Sequence, residues 1–487
     1  MSHQTELQYQ REHLFIGGEW RPSTSPDTIT VISPFTEQPV GRAPDTSPAD
    51  IDAAVAAARH ALTRSAWATW DVETRAAAID RFADALERRA DETARIVTAE
   101  NGMPIWGSSA VEGPDPARVL RHFAQLARTT PQEERRPAAS GTGTTLVRRE
   151  PVGVVAAVVP WNYPQSLAVF KIAPALAAGC TVVVKPAPET VLDAFQFADA
   201  AQEAGLPDGV INIVTGGRDA GAYLVSHPGV DKVAFTGSTE AGRAIGEVCG
   251  RLLRPVTLEL GGKSAAIVLD DADLGRTVRG LTWVCLAHSG QTCYTNSRIL
   301  APRSRYDEVV DAIADLAASL QIGDPSDPAT QLGPLVSSRQ RERVESAIAA
   351  GRAGGARVVT GGRRPAAFER GWFIEPTVFA DLDNSHTVAR EEIFGPVLTV
   401  IPYDDIDDAV AIADDSPYGL AGTVWTSDED KGIEIARRVR TGTVGVNFYD
   451  IDLGAPFGGV KASGLGRELG PEGLASYVAY KSVYLSR

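Results

Sequence analysis

Residues 153–185, GVVAAVVPWNYPQSLAVFKIAPALAAGCTVVVK, decide the fold. The run at 153–159 is apolar and β-branched without alternation, which predicts a strand buried on both faces. Residues 166–178 carry apolar side chains at helical period, and 181–185 return to a β-branched run. The pattern continues outward with a helix at 191–204, a strand at 210–214, a short helix at 220–226, a strand at 230–235, a helix at 239–253 and a strand at 256–260. Such alternation predicts a doubly wound parallel sheet that binds ligands at the carboxyl ends of its strands. A second α/β pattern opens after Gly262. It has strands at 265–269 and 297–301, helices at 274–287 and 306–320, a loop at 323–334, and two further rounds ending at 442–447.

Upstream, 14–20 and 29–41 read as short strand pairs. Residues 48–101 read as two Ala-rich helices broken near 67–70, with their Arg and Glu on a solvated face. A further helix is expected at 114–130. Residues 131–150 are polar and rich in Gly, Pro and Thr, and 475–485 alternate like a strand. The two segments are expected to pair between subunits.

A chain of 487 residues exceeds one core and predicts two or three domains. Hydrophobic content of 44% and charged content of 22% are those of a soluble globular protein. A net charge of −15 argues against a nucleic-acid partner. No apolar run is long enough to span a bilayer, and the first fifteen residues lack a signal-peptide core, so no membrane association is expected. The 4 cysteines form no CxxC pair and the 7 histidines no ligand spacing. A reducing cytoplasm and no metal are therefore expected. The chain has 40 Arg but only 7 Lys, so each lysine is expected where a compact, flexible ammonium is needed. Lys171, Lys185, Lys263 and Lys461 fall in Gly- or Pro-bearing segments.

Two segments offer chemistry. Gly290-Gln291-Thr292-Cys293 presents a thiol in a Gly-flanked turn, and Glu259-Leu260-Gly261-Gly262-Lys263 presents a carboxylate. Thiol catalysis needs a thiolate or a nearby base, and this pair could supply both. Taken singly, a cysteine is more often a small buried hydrophobe, and a Glu before Gly-Gly a turn residue. The commonest dinucleotide fingerprint, G-x-G-x-x-G, is absent. Two strand-to-helix junctions can replace it. In 232–242, KVAFTGSTEAG, Gly237 permits close backbone approach and Ser238 caps a helix whose N-terminus favours pyrophosphate. In 184–189, VKPAPE, Lys185 stands at the carboxyl end of a strand, within reach of ribose or phosphate oxygens.

Seven segments in order resemble the NAD(P)-dependent aldehyde dehydrogenase superfamily. They are Pro160-Trp161-Asn162-Tyr163-Pro164, Lys185-Pro186, Phe235-Thr236-Gly237-Ser238-Thr239, Glu259 to Lys263, Gly290 to Cys293, Glu391-Glu392-Ile393-Phe394-Gly395-Pro396, and Pro456-Phe457-Gly458-Gly459-Val460-Lys461-Ala462-Ser463-Gly464. The resemblance implies an α/β fold: a Rossmann-like parallel-sheet cofactor domain (1–125 and 150–258), an α/β catalytic domain (259–469), and a small β bridging arm (126–149 and 470–487) that makes a homodimer or homotetramer. It implies that Cys293 attacks an aldehyde, that Asn162 and the Cys293 N–H hold the oxyanion, and that Glu259 activates the water that hydrolyses the resulting thioester. Lys171 and Glu468 match a proton relay. Pro160, Trp161, Lys185, Gly237, Ser238, Glu392 and Phe394 match the cofactor site.

Family members that prefer NAD often carry an acid three residues after the ribose-binding Lys. Here that position is Pro188, and the acid is Glu189. NAD remains the expected cofactor because no Arg stands in that loop to attract a 2′-phosphate, although NADP is not rejected outright. By resemblance the aldehyde tunnel is lined near Tyr163, Phe170, Trp283, Thr292, Tyr294, Phe448, Tyr449 and Phe457. These suit an apolar or aromatic aldehyde, while Asp452 in the same loop would suit an amino aldehyde. The alternatives are a CoA-acylating relative, which has no need of Glu259, and a cofactor-independent thiol esterase or thioesterase. His288 would serve the latter, but Glu259 already supplies a base. Cys285 sits at helical spacing and reads as core.

Overall fold

The computed structural model describes residues 8–486. The polar opening segment begins with residues 1–7, which lie outside the described residues. Five parallel strands form the heart of an eight-stranded sheet. Their spatial order is Val256–Glu259, Lys232–Thr236, Val154–Val158, Thr181–Lys185 and Ile211–Ile213. The chain winds outward from Val154–Val158 in one direction, then crosses back to place Lys232–Thr236 on its other side. The switch point therefore opens a crevice between the loop after Val158 and the loop after Thr236. Every residue of Thr181–Lys185 is buried, as expected of a strand covered on both faces.

The helix Pro164–Ala178 begins with proline, whose fixed φ suits the first helical turn, and stops at Gly179 with φ 95°. From Pro164 to Ala177 every residue is buried. The helix is enclosed by the sheet, by Asp115–Thr129 and by the C-terminal turn, so its apolar character extends around its whole circumference. Ser238 caps the helix Thr239–Arg251 by accepting from the Ala241 N–H.

A second sheet of seven strands runs Arg357–Thr360, Thr377–Ala380, Val397–Tyr403, Arg298–Pro302, Ala265–Val268, Gly422–Trp425 and Gly445–Val446. All its pairings are parallel except the first. Residues Gly464–Leu465, sequence-assigned to the second unit, instead form the edge strand of the first sheet beside Val256–Glu259.

Four expectations need correction. The terminal strand Val478–Leu485 pairs with the 131–150 arm, a hairpin of Glu133–Pro137 and Thr144–Pro151, within the same chain and not between subunits, from Val478 opposite Pro151 to Leu485 opposite Thr144. Residues 48–101 form three helices, Pro48–Arg64, Val72–Glu87 and Ala90–Asn101, with a further short helix at Ile105–Ala110. The stretch at 191–204 is helical only over Phe195–Glu203. Finally, not all the charge of 48–101 is solvated. Arg75 is buried and donates from Nε to the Ala177 carbonyl, and Glu100 is buried and accepts from the N–H groups of Leu192 and Asp193. Among the described residues no helix is long and apolar enough to cross a membrane.

Candidate active site

The turn that carries Cys293 is conformationally costly. His288, Ser289 and Gly290 have φ of 48°, 56° and 72°, three successive left-handed residues of which only glycine adopts that region freely. Its surroundings hold it there. Ser289 Oγ donates to the Gly333 carbonyl at 2.7 Å, and Gln291 Oε1 accepts from the Val336 N–H at 3.0 Å. Gln291 Nε2 donates back to the His288 carbonyl at 3.1 Å. A Cβ on Gly290 would stand 2.2 Å from the Gly395 carbonyl oxygen, so the turn needs glycine for space as well as for φ.

The Glu259 segment closes on this turn. A Cβ on Gly262 would lie 2.4 Å from the Cys293 carbonyl oxygen, so the two segments meet backbone to backbone. Asn162 comes from the loop after the central strand, and its Nδ2 donates to the Gln291 carbonyl at 2.9 Å. An amide nitrogen carries two hydrogens, so one remains for another acceptor. Tyr163 Oη and Thr292 Oγ1 lie 3.0 Å apart.

The electrostatics favour neutral groups. Packing around the Cys293 sulfur, followed by the nearby Glu392 and Glu259 carboxyls, pushes the thiol up to about 12. Glu259 is buried with neither oxygen hydrogen-bonded, and burial and the Glu468 charge hold its carboxyl well above the usual range. The Lys171 ammonium opposes that rise. Lys171 is fully buried and donates to Glu468 Oε1 at 2.8 Å, to Thr236 Oγ1 at 2.6 Å and to the Leu167 carbonyl at 3.2 Å. Glu468 is fixed by reciprocal backbone bonds with Phe457.

His288 is a poor base here. Burial pushes its imidazole down to about 3, and its ring stands edge-on to Tyr163 at 5.7 Å. Cys285 is core, as its spacing predicts. Among the described residues no cluster of His, Cys, Asp or Glu is arranged to hold a metal ion.

The model of the aldehyde dehydrogenase family matches residues 20–483 of this sequence. The chain belongs to that family. It is 56% identical over 474 residues to a geranial dehydrogenase of Castellaniella defragrans, covering 97% of this chain and 98% of that protein. It superposes with a TM-score of 0.96, at 49% identity and 98% coverage of both chains, on a Mycobacterium tuberculosis aldehyde dehydrogenase complexed with NAD+. A mutant of aldehyde dehydrogenase C from Pseudomonas syringae, in complex with NAD+ and octanal, matches at TM-score 0.93 and 39% identity, over 97% of this chain and 96% of that one.

In this aldehyde dehydrogenase the crevice at the switch point gathers the residues expected to meet a cofactor. The Trp161 and Phe394 rings meet edge to face at 5.3 Å beside Pro160, and Phe394 takes φ 58°. Glu392 accepts from the Gly262 N–H at 2.9 Å, and burial raises its carboxyl. The Gly237 N–H donates to the Glu259 carbonyl at 3.0 Å. Lys185 Nζ donates to the Pro186 carbonyl at 2.9 Å, and burial pushes it down to about 8 against the pull of Glu189 and Asp45. Glu189 faces an arginine after all. Arg339, from a helix 150 residues on, reaches it at 3.3 Å, a cation invisible in the loop's own sequence.

The expected aldehyde-lining residues divide. Tyr163, Phe170, Tyr294 and Phe457 join one apolar cluster with Cys293, and the Tyr449 ring packs tilted against Tyr294 at 5.1 Å. Phe448 does not join them. The residue is 66% exposed. Trp283 is 51% exposed and packs edge-on against Trp106 at 4.7 Å. Asp452 is exposed, and its Oδ1 accepts from the Gly454 N–H within its own loop.

Sequence reading missed three neighbours of the site. Asn101 Nδ2 bridges the Trp161 and Asn162 carbonyls at 3.2 Å each. Glu112 accepts from the Gln165 N–H and the Ser166 hydroxyl at the start of the helix that follows Asn162. Trp106 supports Trp283. Their local signals, Asn-Gly after a helix and Glu before Gly-Pro, read as ordinary turns.

Proposed function

We propose that this protein oxidises an apolar aldehyde to its carboxylic acid with NAD as the hydride acceptor. The observation that carries the reading is the approach of Asn162 Nδ2, holding a spare hydrogen, and of the Gly262 backbone to the Cys293 turn, with the Glu259 carboxyl near enough to raise the thiol.

Glu259 takes the Cys293 thiol proton and the sulfur adds to the aldehyde carbon, giving a thiohemiacetal. The oxygen that gains charge is received by Asn162 Nδ2 and the Cys293 N–H, donors already in place before charge develops. NAD, when bound, supplies a hydride acceptor, and Cys293 then carries a thioester. Glu259 takes a proton from water, which adds to the thioester carbonyl. The C–S bond breaks and the acid is released. Lys171 and Glu468 carry the proton away from Glu259 toward solvent. Burial keeps water from competing at other positions.

The crevice residues fit NAD. Gly237 and Ser238 give an open helix N-terminus for pyrophosphate, Lys185 reaches the ribose side, Glu392 the nicotinamide ribose, and Pro160, Trp161 and Phe394 the nicotinamide. The Arg339–Glu189 pair leaves NADP a weaker second acceptor. The substrate reading rests on the cluster of Tyr163, Phe170, Tyr294 and Phe457, with Thr292 and Tyr449 at its edge. Relatives named for geranial and crystallised with octanal favour the same class. Asp452 is engaged within its own loop, which counts against an amino aldehyde. The 126–149 and 470–487 arm is read as the seat of a homodimer or homotetramer in the cytoplasm.

The test is NADH formation by the purified protein against short aliphatic, long aliphatic, terpenoid, aromatic and amino aldehydes, with NAD and NADP, for wild type and Cys293→Ala. Apolar aldehydes are expected to give the highest kcat/KM with NAD, and Cys293→Ala none. Activity that survives Cys293→Ala, or a best substrate that is cationic, would overturn the reading.

A further inference from the structure

Asn162 is held from both ends. Its side-chain Nδ2 donates to the Gln291 carbonyl, and its own carbonyl accepts from Asn101 Nδ2 at 3.2 Å. The second hydrogen of Asn101 Nδ2 goes to the Trp161 carbonyl, also at 3.2 Å. Asn101 is fully buried, and its Oδ1 accepts from the Met103 N–H at 2.9 Å. That bond decides which edge of the amide faces the loop, and both amide hydrogens are then spent on it. Two successive carbonyls meet one nitrogen, so the Trp161–Asn162 backbone cannot rotate without losing a bond.

Asn101 is itself anchored to the far side of the site. It ends the helix Ala90–Asn101, and Gly102 follows with φ 77°. A Cβ on Gly102 would stand 2.8 Å from Pro334 Cγ, and a Cβ on Gly333 would overlap the Gly102 carbonyl oxygen. The helix end therefore rests closely on 333–334. Two bonds extend the contact. The Ile105 N–H donates to the Pro325 carbonyl at 2.7 Å, and Trp106 Nε1 to the Thr330 carbonyl at 2.8 Å. The same segment grips the Cys293 turn, where Gly333 receives the Ser289 hydroxyl and the Val336 N–H donates to Gln291 Oε1. These contacts close into a ring. It runs from the Cys293 turn to 333–336, to Gly102 and Asn101, to Asn162, and back through Nδ2 to the Gln291 carbonyl. Asn162 follows a strand of the first sheet, while the Cys293 turn precedes a strand of the second. The ring ties the one to the other.

We propose that Asn101 is a positioning residue for the oxyanion site, holding Asn162 in register with the Cys293 N–H across the junction of the two sheets. Its amide is wholly engaged with backbone, so it offers nothing to the aldehyde and acts through Asn162. Donors stabilise a developing charge best when they are fixed before it appears, and a misplacement of about 1 Å can cost about 10²-fold in rate. An asparagine that only capped its helix would act independently of Asn162. The inference rests on the reading of Asn162 as an oxyanion donor.

The experiment is a double-mutant cycle on the whole chain. Asn101→Ala and Asn101→Ser are made in the wild type and in Asn162→Ala. For each, kcat is measured at saturating aldehyde and NAD, with thermal unfolding alongside. Asn101→Ser leaves the smaller hole and decides if Asn101→Ala does not fold. In the wild type either change is expected to lower kcat at least about tenfold. In Asn162→Ala no amide remains to be positioned, so the same change should lower kcat less than about twofold further. The unfolding temperature should fall by the same amount in both backgrounds. A loss of kcat as large in Asn162→Ala as in the wild type, or no loss in the wild type, overturns the positioning role and leaves Asn162 as a donor. If Asn162→Ala itself turns over at the native rate, the oxyanion reading falls and the positioning role with it.

Discussion

Replacing Glu259 by glutamine should move stability and activity in opposite directions. Both Glu259 oxygens are buried without a partner, and Glu468 lies close enough to repel the charge. A folded-state value raised above the unfolded one, about 4.3, means the protonated form is favoured by folding. The stability this confers is complete below the unfolded value and is lost as pH rises through the folded value. Above that range the wild type holds an unsatisfied buried carboxylate, a burden of about 1–3 kcal/mol. Glutamine keeps the shape and cannot ionise. Glu259→Gln should therefore be more stable than wild type by about 1–3 kcal/mol at pH 8, with the gap narrowing toward pH 5. Hydrolysis of the acyl-enzyme should slow by about 10²–10⁴, or about 3–5 kcal/mol of barrier. Denaturant unfolding at both pH values and steady-state turnover measure the two. A variant less stable than wild type at pH 8, or one that hydrolyses at the native rate, would refute the reasoning.

Asn162→Ala should lower kcat about 10²–10³-fold. The loss of its bond to the buried Gln291 carbonyl should also cost about 1–3 kcal/mol of unfolding free energy. Lys171→Met removes one partner of a fully buried pair and should destabilise by about 3–5 kcal/mol. Because Lys171 is the strongest influence holding Glu259 down, the acid limb of the kcat–pH profile should move to higher pH in that variant. Tyr449→Ala should raise KM for long apolar aldehydes by about 2–10-fold, from roughly 0.5–1.5 kcal/mol of aromatic contact. KM for acetaldehyde should stay nearly unchanged, as initial-rate kinetics can establish.

The strands were the most legible part of the fold. Thr181–Lys185 is buried along its whole length around a run of three valines, a pattern that tertiary contacts reinforce. Helix limits were less legible where charge was buried. Glu100 and Arg75 sit in Ala-rich helices whose polar residues look solvated, yet each serves a backbone group of a segment about a hundred residues away. At the site, Cys293 and Glu259 stood out because each lies in a Gly-bearing turn and the surrounding segments come in the family's order. Asn101 and Glu112 did not, because a residue's type does not reveal which distant carbonyl or amide it will meet. Phe448 shows the converse. Its aromatic side chain suggested a place in the cluster around Cys293, yet the residue is 66% exposed, because residue type alone does not set burial.

The stretch that supplies Glu468 and Tyr477 continues directly into the strand Val478–Leu485, knitted to the hairpin arm along its full length. Damage to the arm is thus delivered to Glu468, the carboxylate read as the partner of Lys171 in the relay, by the continuity of the peptide chain. In a genetic screen for clones that lose turnover yet still make abundant protein, lesions would collect near the C-terminus as well as around Cys293. Affinity tags fused there would carry the same hazard, and an N-terminal fusion is the better choice for kinetics.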